Sequence, residues 1–326
     1  MTPRPLPPRE QLTICFAHAA YRMQERFALR NTGIRSFEVR NLDELKAGIA
    51  QAHVLSVSML WRNELIDQAP KLAFIQSISA GTDQYSRELL GRAGVRVASA
   101  QGSNERAVAE HAIALMLAMA RKLPMARDNQ AAHKWRGLIS DISKREDELG
   151  GKTLVIVGMG RIGSRLATVA KAFDMRVIGV KRDPSTGGEA AHEAVPHSAL
   201  LDVLPRADYV VLTCPLNPST EKLIDGRALA AMKASACLVN VARGRVVNEP
   251  DLIQALQSGA IAQAALDCVW EEPLPESSPL WDVPNLFLTP HTAGETQKYE
   301  DNVIDLLLEN LDRLWRGETV LKNNFI

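Results

Sequence analysis

Apolar runs of four to six residues recur along the first hundred positions of the chain, each too short for a helix and rich in β-branched residues. They read as buried strands at Leu12–Ala17, Ser36–Val39, His53–Val57, Phe74–Ile78 and Val95–Ala98. Helical spacing separates them, around Ala20–Leu29, Leu42–Gln51, Glu64–Gln68 and Gln84–Arg92. That alternation predicts a parallel sheet with helices on both faces, in an α/β domain of about 100 residues. From Arg106 to Arg121 the chain is almost continuously Ala, Ile, Leu and Met, which predicts a helix buried all round, packed between domains or subunits. Six further strands follow, at Thr153–Val157, Arg176–Val180, Asp208–Thr213, Cys237–Val241, Ala264–Asp267 and Leu286–Thr289. A last amphipathic helix, from about Thr296 to Trp315, carries Val303, Leu306, Leu307, Leu311 and Leu314 on one face. It is expected to return to the first domain, which would then be discontinuous: 1–101 with 293–326, around an inserted 102–292.

The first strand of the second set runs straight into Gly158, Gly160 and Gly163, spaced G-x-G-x-x-G, and then into a helical pattern. Strand, glycines, helix and second strand arrive in the order of a dinucleotide-binding unit. Gly158 allows the turn, Gly160 lets a bare backbone approach a pyrophosphate, and Gly163 lets helix and strand pack closely. The helix N-terminus would hold the anion. At the end of the second strand, where a carboxylate commonly meets the ribose hydroxyls, stand Lys181 and Arg182, followed by Asp183. Two cations suit a 2′-phosphate, so NADP(H) is favoured, with NAD(H) possible should Asp183 reach the ribose.

Composition narrows the partners. Lys plus Arg and Asp plus Glu both number 38, which gives no basic excess for nucleic acid and no acidic tail. The longest apolar run, Ala112–Ala120, has nine residues and cannot span a bilayer. The proline-rich start lacks the apolar core of a signal peptide. Cys15, Cys214, Cys237 and Cys268 are scattered through apolar strands, at neither metal-ligand nor disulfide-framework spacing, so buried free thiols in a reducing, cytoplasmic compartment are expected, with no metal.

Ligands of such sheets sit at the carboxyl ends of the strands. There the chain places Arg243, Glu272 and His291. Reducing a carbonyl needs a cation for a substrate carboxylate and carbonyl oxygen, and a proton donor titrating near neutrality; Arg243 and His291 are of those types. A carboxylate on the histidine ring would orient it and raise its pKa, and Glu272 is available, with Glu271 as a neighbour that could exchange roles. Histidines 18, 53, 111, 133, 192 and 197 have no comparable setting and read as structural. Trp135, Trp270 and Trp281 read as packing residues rather than as the lining of a cleft.

The segments VIVGMGRIGSRLA, NVARGRVVNEPDL, ALDCVWEEPLPESSPLW and LTPHTAGET, with SISAGTDQY and NERAVAEHAIALMLA upstream, resemble the signature blocks of the D-isomer-specific 2-hydroxyacid dehydrogenases over nearly the whole chain. The resemblance implies a flavodoxin-like substrate domain, an inserted Rossmann NAD(P)-binding domain, a cleft between them and a homodimer. It implies that Arg243 binds the carboxylate and carbonyl of a small 2-keto acid, that His291 is the general acid/base and that Glu272 partners it. Ala80 and Gly81 match the family's substrate-carboxylate loop. Cofactor contacts are implied at Gly158, Gly160, Arg161, Ile162, Gly163, Lys181, Arg182, Cys214, Pro215, Ala242, Asp267 and Ala293, with Asp267 at the nicotinamide carboxamide. Lys181 departs from the family's commonest aspartate, and Cys214 from its small hydroxyl residue. Glutamate rather than glutamine at 272 argues against formate. The end of the chain soon after its last helix suggests no regulatory domain of the kind longer phosphoglycerate dehydrogenases carry. The basic residues after VIGV resemble glyoxylate/hydroxypyruvate reductases, so the expected activity is reduction of such a keto acid to the D-2-hydroxy acid. The family's corepressor branch, which senses dinucleotide without turnover, is the alternative.

Overall fold

The computed structural model describes residues 3–186 and 188–326. Two compact units divide the chain: the residues up to Asn104 together with Glu295–Ile326, and Glu105–Gly294. The sequence-based boundaries, at 101/102 and 292/293, fall two or three residues before these.

In the first unit, β1 (Thr13–Ala17), α1 (Met23–Ala28), β2 (Arg35–Val39), α2 (Leu42–Gly48), β3 (Val54–Val57), β4 (Phe74–Ser77), α3 (Arg87–Arg92) and β5 (Arg96–Ala98) follow one another. The strands form one sheet in the order β2-β1-β3-β4-β5, every pair parallel. Because side chains alternate across a strand, Ile14 and Phe16 enter one core while Cys15 and Ala17 enter the other. Both faces are covered, which is why the strands read as unbroken apolar runs.

The second unit contributes α4 (Glu105–Ala120), α5 (Leu123–Ala131), β6 (Thr153–Val157), α6 (Arg161–Ala172), β7 (Arg176–Lys181), β8 (Glu193–Pro196), α7 (Leu200–Val203), β9 (Tyr209–Leu212), α8 (Gly226–Ala231), β10 (Cys237–Asn240), α9 (Glu249–Ser258), β11 (Gln263–Leu266) and β12 (Leu286–Leu288). Its sheet has seven strands in the order β12-β11-β10-β9-β6-β7-β8, again all parallel. The chain returns to the first unit as α10 (Tyr299–Trp315), whose Val303, Ile304, Leu307 and Leu311 pack with Ile14 and Phe16.

Two expectations need correction. The sequence indicated six strands in the second unit and omitted β8, EAVP, which pairs with β7 from Ile178↔Glu193 to Lys181↔Pro196. It is a short, half-buried edge strand ending in proline, so it lacks the apolar run that marks the inner strands. The helix α4 is not buried all round: Arg106, Glu110 and Ala114, four residues apart, form an exposed stripe along an otherwise buried or half-buried surface.

With β8 in place, the second sheet runs outward from β6 in both directions, in the doubly wound order of dinucleotide-binding folds. The register pairs Val157 with Val180 and Leu212, Leu212 with Asn240, Asn240 with Leu266 and Leu266 with Leu288. The strands therefore end level with one another, and six loops leave one edge of the sheet: Gly158, Lys181–Asp183, Thr213–Pro215, Val241–Arg243, Asp267–Glu272 and Thr289–His291.

Candidate active site

The glycine loop is shaped by what its residues lack. Gly158 has φ +108°, and a Cβ there would lie 2.6 Å from the Cys214 backbone nitrogen. At Gly163 a Cβ would lie 2.1 Å from the Gly158 carbonyl oxygen. That oxygen also accepts the Thr213 hydroxyl at 2.6 Å. A Cβ at Gly160, by contrast, would meet nothing within 4 Å. Gly160 is also the N-cap of α6, a 12-residue helix with no side-chain cap on its N-terminal N–H groups. An open approach onto an uncapped helix N-terminus fits a pyrophosphate. Arg161 and Ile162 open that helix, and Cys214, buried behind Gly158, has its thiol pKa pushed up to about 11 by burial.

At the end of β7 and just after it, the cations Lys181 and Arg182 are half-exposed and exposed. Asp183 turns back on its own loop, accepting the Ser185 hydroxyl at 2.6 Å and backbone N–H at 3.0 Å. Those bonds, helped by the charge of Lys181, hold its pKa below the usual carboxylate value against some burial. Both bonds fall on one carboxylate oxygen, Oδ1.

The loops after β10, β11 and β12 form a second cluster. Asn240, wholly buried, accepts the Ala242 N–H at 3.0 Å and donates to the Arg243 carbonyl at 2.9 Å, fixing the turn that presents Arg243. A Cβ at Gly244 would lie 2.1 Å from the Val269 carbonyl carbon, so only glycine lets the β10 and β11 loops touch backbone to backbone. In the β11 loop the Val269 N–H donates to Glu272 Oε1 at 3.0 Å, and Glu272 Oε2 meets His291 Nδ1 at 2.6 Å. Glu271 makes no such contact, which settles which glutamate partners the histidine. Burial alone would raise the Glu272 pKa. The His291 hydrogen bond and charge, the Val269 N–H and the Arg243 charge outweigh it and leave the pKa lowered. An ionised carboxylate only accepts, so Nδ1 carries the proton of that bond and Nε2 is the atom left for a reacting group.

His291 sits at φ +56°, in the left-handed region that non-glycine residues enter at a cost of about 1–2 kcal/mol. Asp267, 2 % exposed, holds the turn there. It accepts the Thr289 hydroxyl at 2.7 Å and the Thr292 and Ala293 N–H groups at 3.0 Å each. His111 Nε2 lies 3.1 Å from the same Thr289 hydroxyl and 3.4 Å from Asp267. The sequence reading takes His111 as structural; the fold brings it against the turn that carries His291, through a contact with a residue 178 positions away that no local pattern signals.

Arg243, Glu272, His291, Asp267, Ala242 and Ala293 thus gather on three adjacent loops. The glycine loop, Cys214–Pro215 and Lys181–Arg182 occupy the other loops of the same edge, and Ala80 and Gly81 follow β4 in the first unit. Of the three tryptophans expected to pack, Trp270 does, donating to the Val247 carbonyl at 2.7 Å. Trp281, 55 % exposed, is held in the same way by the Pro275 carbonyl at 2.8 Å, whereas Trp135, 98 % exposed, does not pack. All four thiols are free and buried. No helix among the described residues is long and apolar enough to cross a membrane.

A parallel dinucleotide-binding sheet with an arginine and a carboxylate-held histidine on its carboxyl edge is the equipment of an oxidoreductase. Residues 113–293 match the family model of the D-isomer specific 2-hydroxyacid dehydrogenase NAD binding domain, and the chain belongs to that family of enzymes, which use a nicotinamide dinucleotide. It is 34% identical over 258 residues to a glyoxylate reductase of Korarchaeum cryptofilum, covering 78% of this chain and 76% of that one. It is 35% identical over 282 residues to a D-3-phosphoglycerate dehydrogenase of Methanocaldococcus jannaschii, which covers 85% of this chain but spans only 52% of that relative. Among solved structures, a D-isomer specific 2-hydroxyacid dehydrogenase family protein from Aeromonas salmonicida superposes with a TM-score of 0.84 at 28% identity, over 97% of this chain and 99% of that one.

Proposed function

We propose that the protein reduces a small 2-keto acid, glyoxylate or hydroxypyruvate, to the D-2-hydroxy acid. The observation that carries this reading is the Glu272–His291 contact of 2.6 Å on the loop beside Arg243. When bound, the reduced dinucleotide supplies the hydride. The Arg243 guanidinium holds the substrate carboxylate and polarises its carbonyl oxygen. His291 gives the proton at Nε2 to that oxygen, while Glu272 fixes the ring and compensates the positive charge carried before transfer. For Ala80 and Gly81 the role stays that implied by the family resemblance, a loop donating backbone N–H groups to a carboxylate. The glyoxylate reductase of Korarchaeum cryptofilum supports the choice of substrate.

NADPH is the proposed cofactor, with NADH the weaker one, because Lys181 and Arg182 stand at the β7 end while Asp183 Oδ1 is turned to Ser185. We also read the protein as a homodimer of a reducing, cytoplasmic compartment. Trp135, Leu138 and Ile142 expose apolar side chains within eight residues of one another, a pattern that favours a covering partner. Four free thiols favour the compartment. Steady-state reduction of glyoxylate, hydroxypyruvate and phenylpyruvate with NADPH and NADH in parallel tests the reading. NADPH should win by about tenfold, a difference of about 1.4 kcal/mol, and Lys181→Ala with Arg182→Ala should erase it. A preference for NADH overturns the cofactor assignment, and no turnover with any acid overturns the enzyme reading in favour of a dinucleotide sensor.

A further inference from the structure

Glu249 is the first residue of α9, and its carboxylate does something other than cap that helix. No side chain caps the α9 N-terminus, and the neighbouring Asp251 is directed to the Gly226 N–H at 2.8 Å. Glu249 Oε1 instead accepts the backbone N–H of Trp270, across on the β11 loop. The indole Nε1 of Trp270 returns a bond of 2.7 Å to the Val247 carbonyl, two residues before Glu249. Lys222 Nζ lies over the indole at 5.4 Å from the ring centroid. Gly244 and Val269 touch just alongside. The β10–α9 segment, which carries Arg243, is therefore braced at three points to the β11 loop, which carries Glu272. The peptide next to the braced one donates the Val269 N–H to Glu272 Oε1, and Glu272 Oε2 reaches His291.

The brace is costly to keep. Burial and the nearby negative charge of Glu272 raise the Glu249 pKa, opposed by the Trp270 N–H, and among the described residues no cation pairs with it. A half-buried carboxylate beside a second carboxylate contributes little to folding by itself, and its one hydrogen bond is aimed at the loop that places Glu272. We propose that Glu249 is a positioning residue for the Glu272–His291 pair, holding the β11 loop in the shape from which Glu272 reaches the imidazole. This rests on the assignment of His291 as the proton donor. A shift of about 1 Å in a reacting group commonly costs about a hundredfold in rate.

The test compares Glu249→Gln, Glu249→Asp and Glu249→Ala in the full chain. Glutamine keeps the length and the acceptor oxygen without the charge, whereas aspartate keeps the charge but withdraws the oxygen from Trp270. Two readouts are taken: glyoxylate reduction with NADPH, and the ring N–H resonance of His291 in protein labelled with ¹⁵N-histidine. Ala and Asp should lower kcat by about 10- to 100-fold, leave NADPH affinity within about twofold, and broaden or shift the His291 resonance. Gln should recover most of both. The inference is overturned if Asp outperforms Gln, which would make charge the active property, or if Asp and Ala keep wild-type kcat and resonance. Should Ala fail to fold, the order of Gln and Asp still decides. Should the wild type reduce no keto acid, the functional reading fails while the resonance still reports on the brace.

Discussion

The glycine loop after β6 and the histidine turn after β12 leave the same edge of one sheet, yet they hold their shapes by opposite means. The first is defined by absent atoms: a Cβ would strike backbone 2.6 Å away at Gly158 and 2.1 Å away at Gly163. The second is defined by added bonds, three of them to the single buried carboxylate of Asp267, which keep His291 at φ +56°. A loop made by exclusion tolerates nothing larger where it is tight and anything small where it is open. A turn that holds a non-glycine residue at positive φ is strained, and it fails when its hydrogen-bonded anchor is weakened.

That contrast can be broken from either side. The largest effect is expected from His291→Ala, which should lower kcat for keto-acid reduction by about 10²- to 10⁴-fold. Dinucleotide binding by fluorescence titration should be intact, and an unchanged rate would remove His291 from the mechanism. Gly163→Ala comes next. Its methyl has a backbone oxygen in its way, so the loss should reach or exceed the ~1–3 kcal/mol usual for overpacking, read as a lower denaturation midpoint and absent dinucleotide binding. Gly160→Ala should separate the two properties, with an unaltered midpoint and binding weaker by about tenfold, or about 1.4 kcal/mol. Equal midpoints for the two alanine variants would refute the distinction drawn from the Cβ distances.

Asp267→Asn replaces a carboxylate that accepts from three donors with an amide that has one acceptor oxygen. A loss of about 1–3 kcal/mol is expected, together with slower turnover, and stability at the wild-type level would show that Asp267 does not hold the turn. The smallest effect concerns pH. The Glu272 pKa is lowered in the fold, so its stabilisation is complete above the unfolded value of about 4.3 and disappears as pH falls through the folded value. The melting-temperature gap between wild type and Glu272→Gln should therefore be open at neutral pH and close in acid. A gap that does not narrow would mean the carboxylate's charge contributes nothing.

The contrast also explains what could be read in advance. The G-x-G-x-x-G spacing was visible because glycine is a sequence letter, and the buried strands were visible because parallel sheets covered on both faces demand unbroken apolar runs. The edge strand Glu193–Pro196, half-buried and ending in proline, satisfies no such pattern and was missed. Trp135 was misplaced because an apolar side chain does not announce whether it faces a core or solvent. Arg243, Glu272 and His291 stand out in the sequence by their positions after strands and by family blocks. Between Glu271 and Glu272 side-chain type leaves the choice open; the family blocks imply Glu272, and the loop brings that carboxylate to the imidazole.

By itself, then, the sequence determined the class of sheet, the dinucleotide loop and the chemical types available at the strand ends, since periodicity, glycine geometry and side-chain chemistry act locally. The tertiary structure alone decided that Asp183 Oδ1 is engaged by Ser185, that His111 stands against the turn carrying His291 and that Glu249 braces the β11 loop. Apart from the short Asp183–Ser185 turn, these contacts join residues far apart in the chain, 178 positions in the case of His111 and Thr289. They exist only because parallel strands, set in register, bring their carboxyl ends to a common edge.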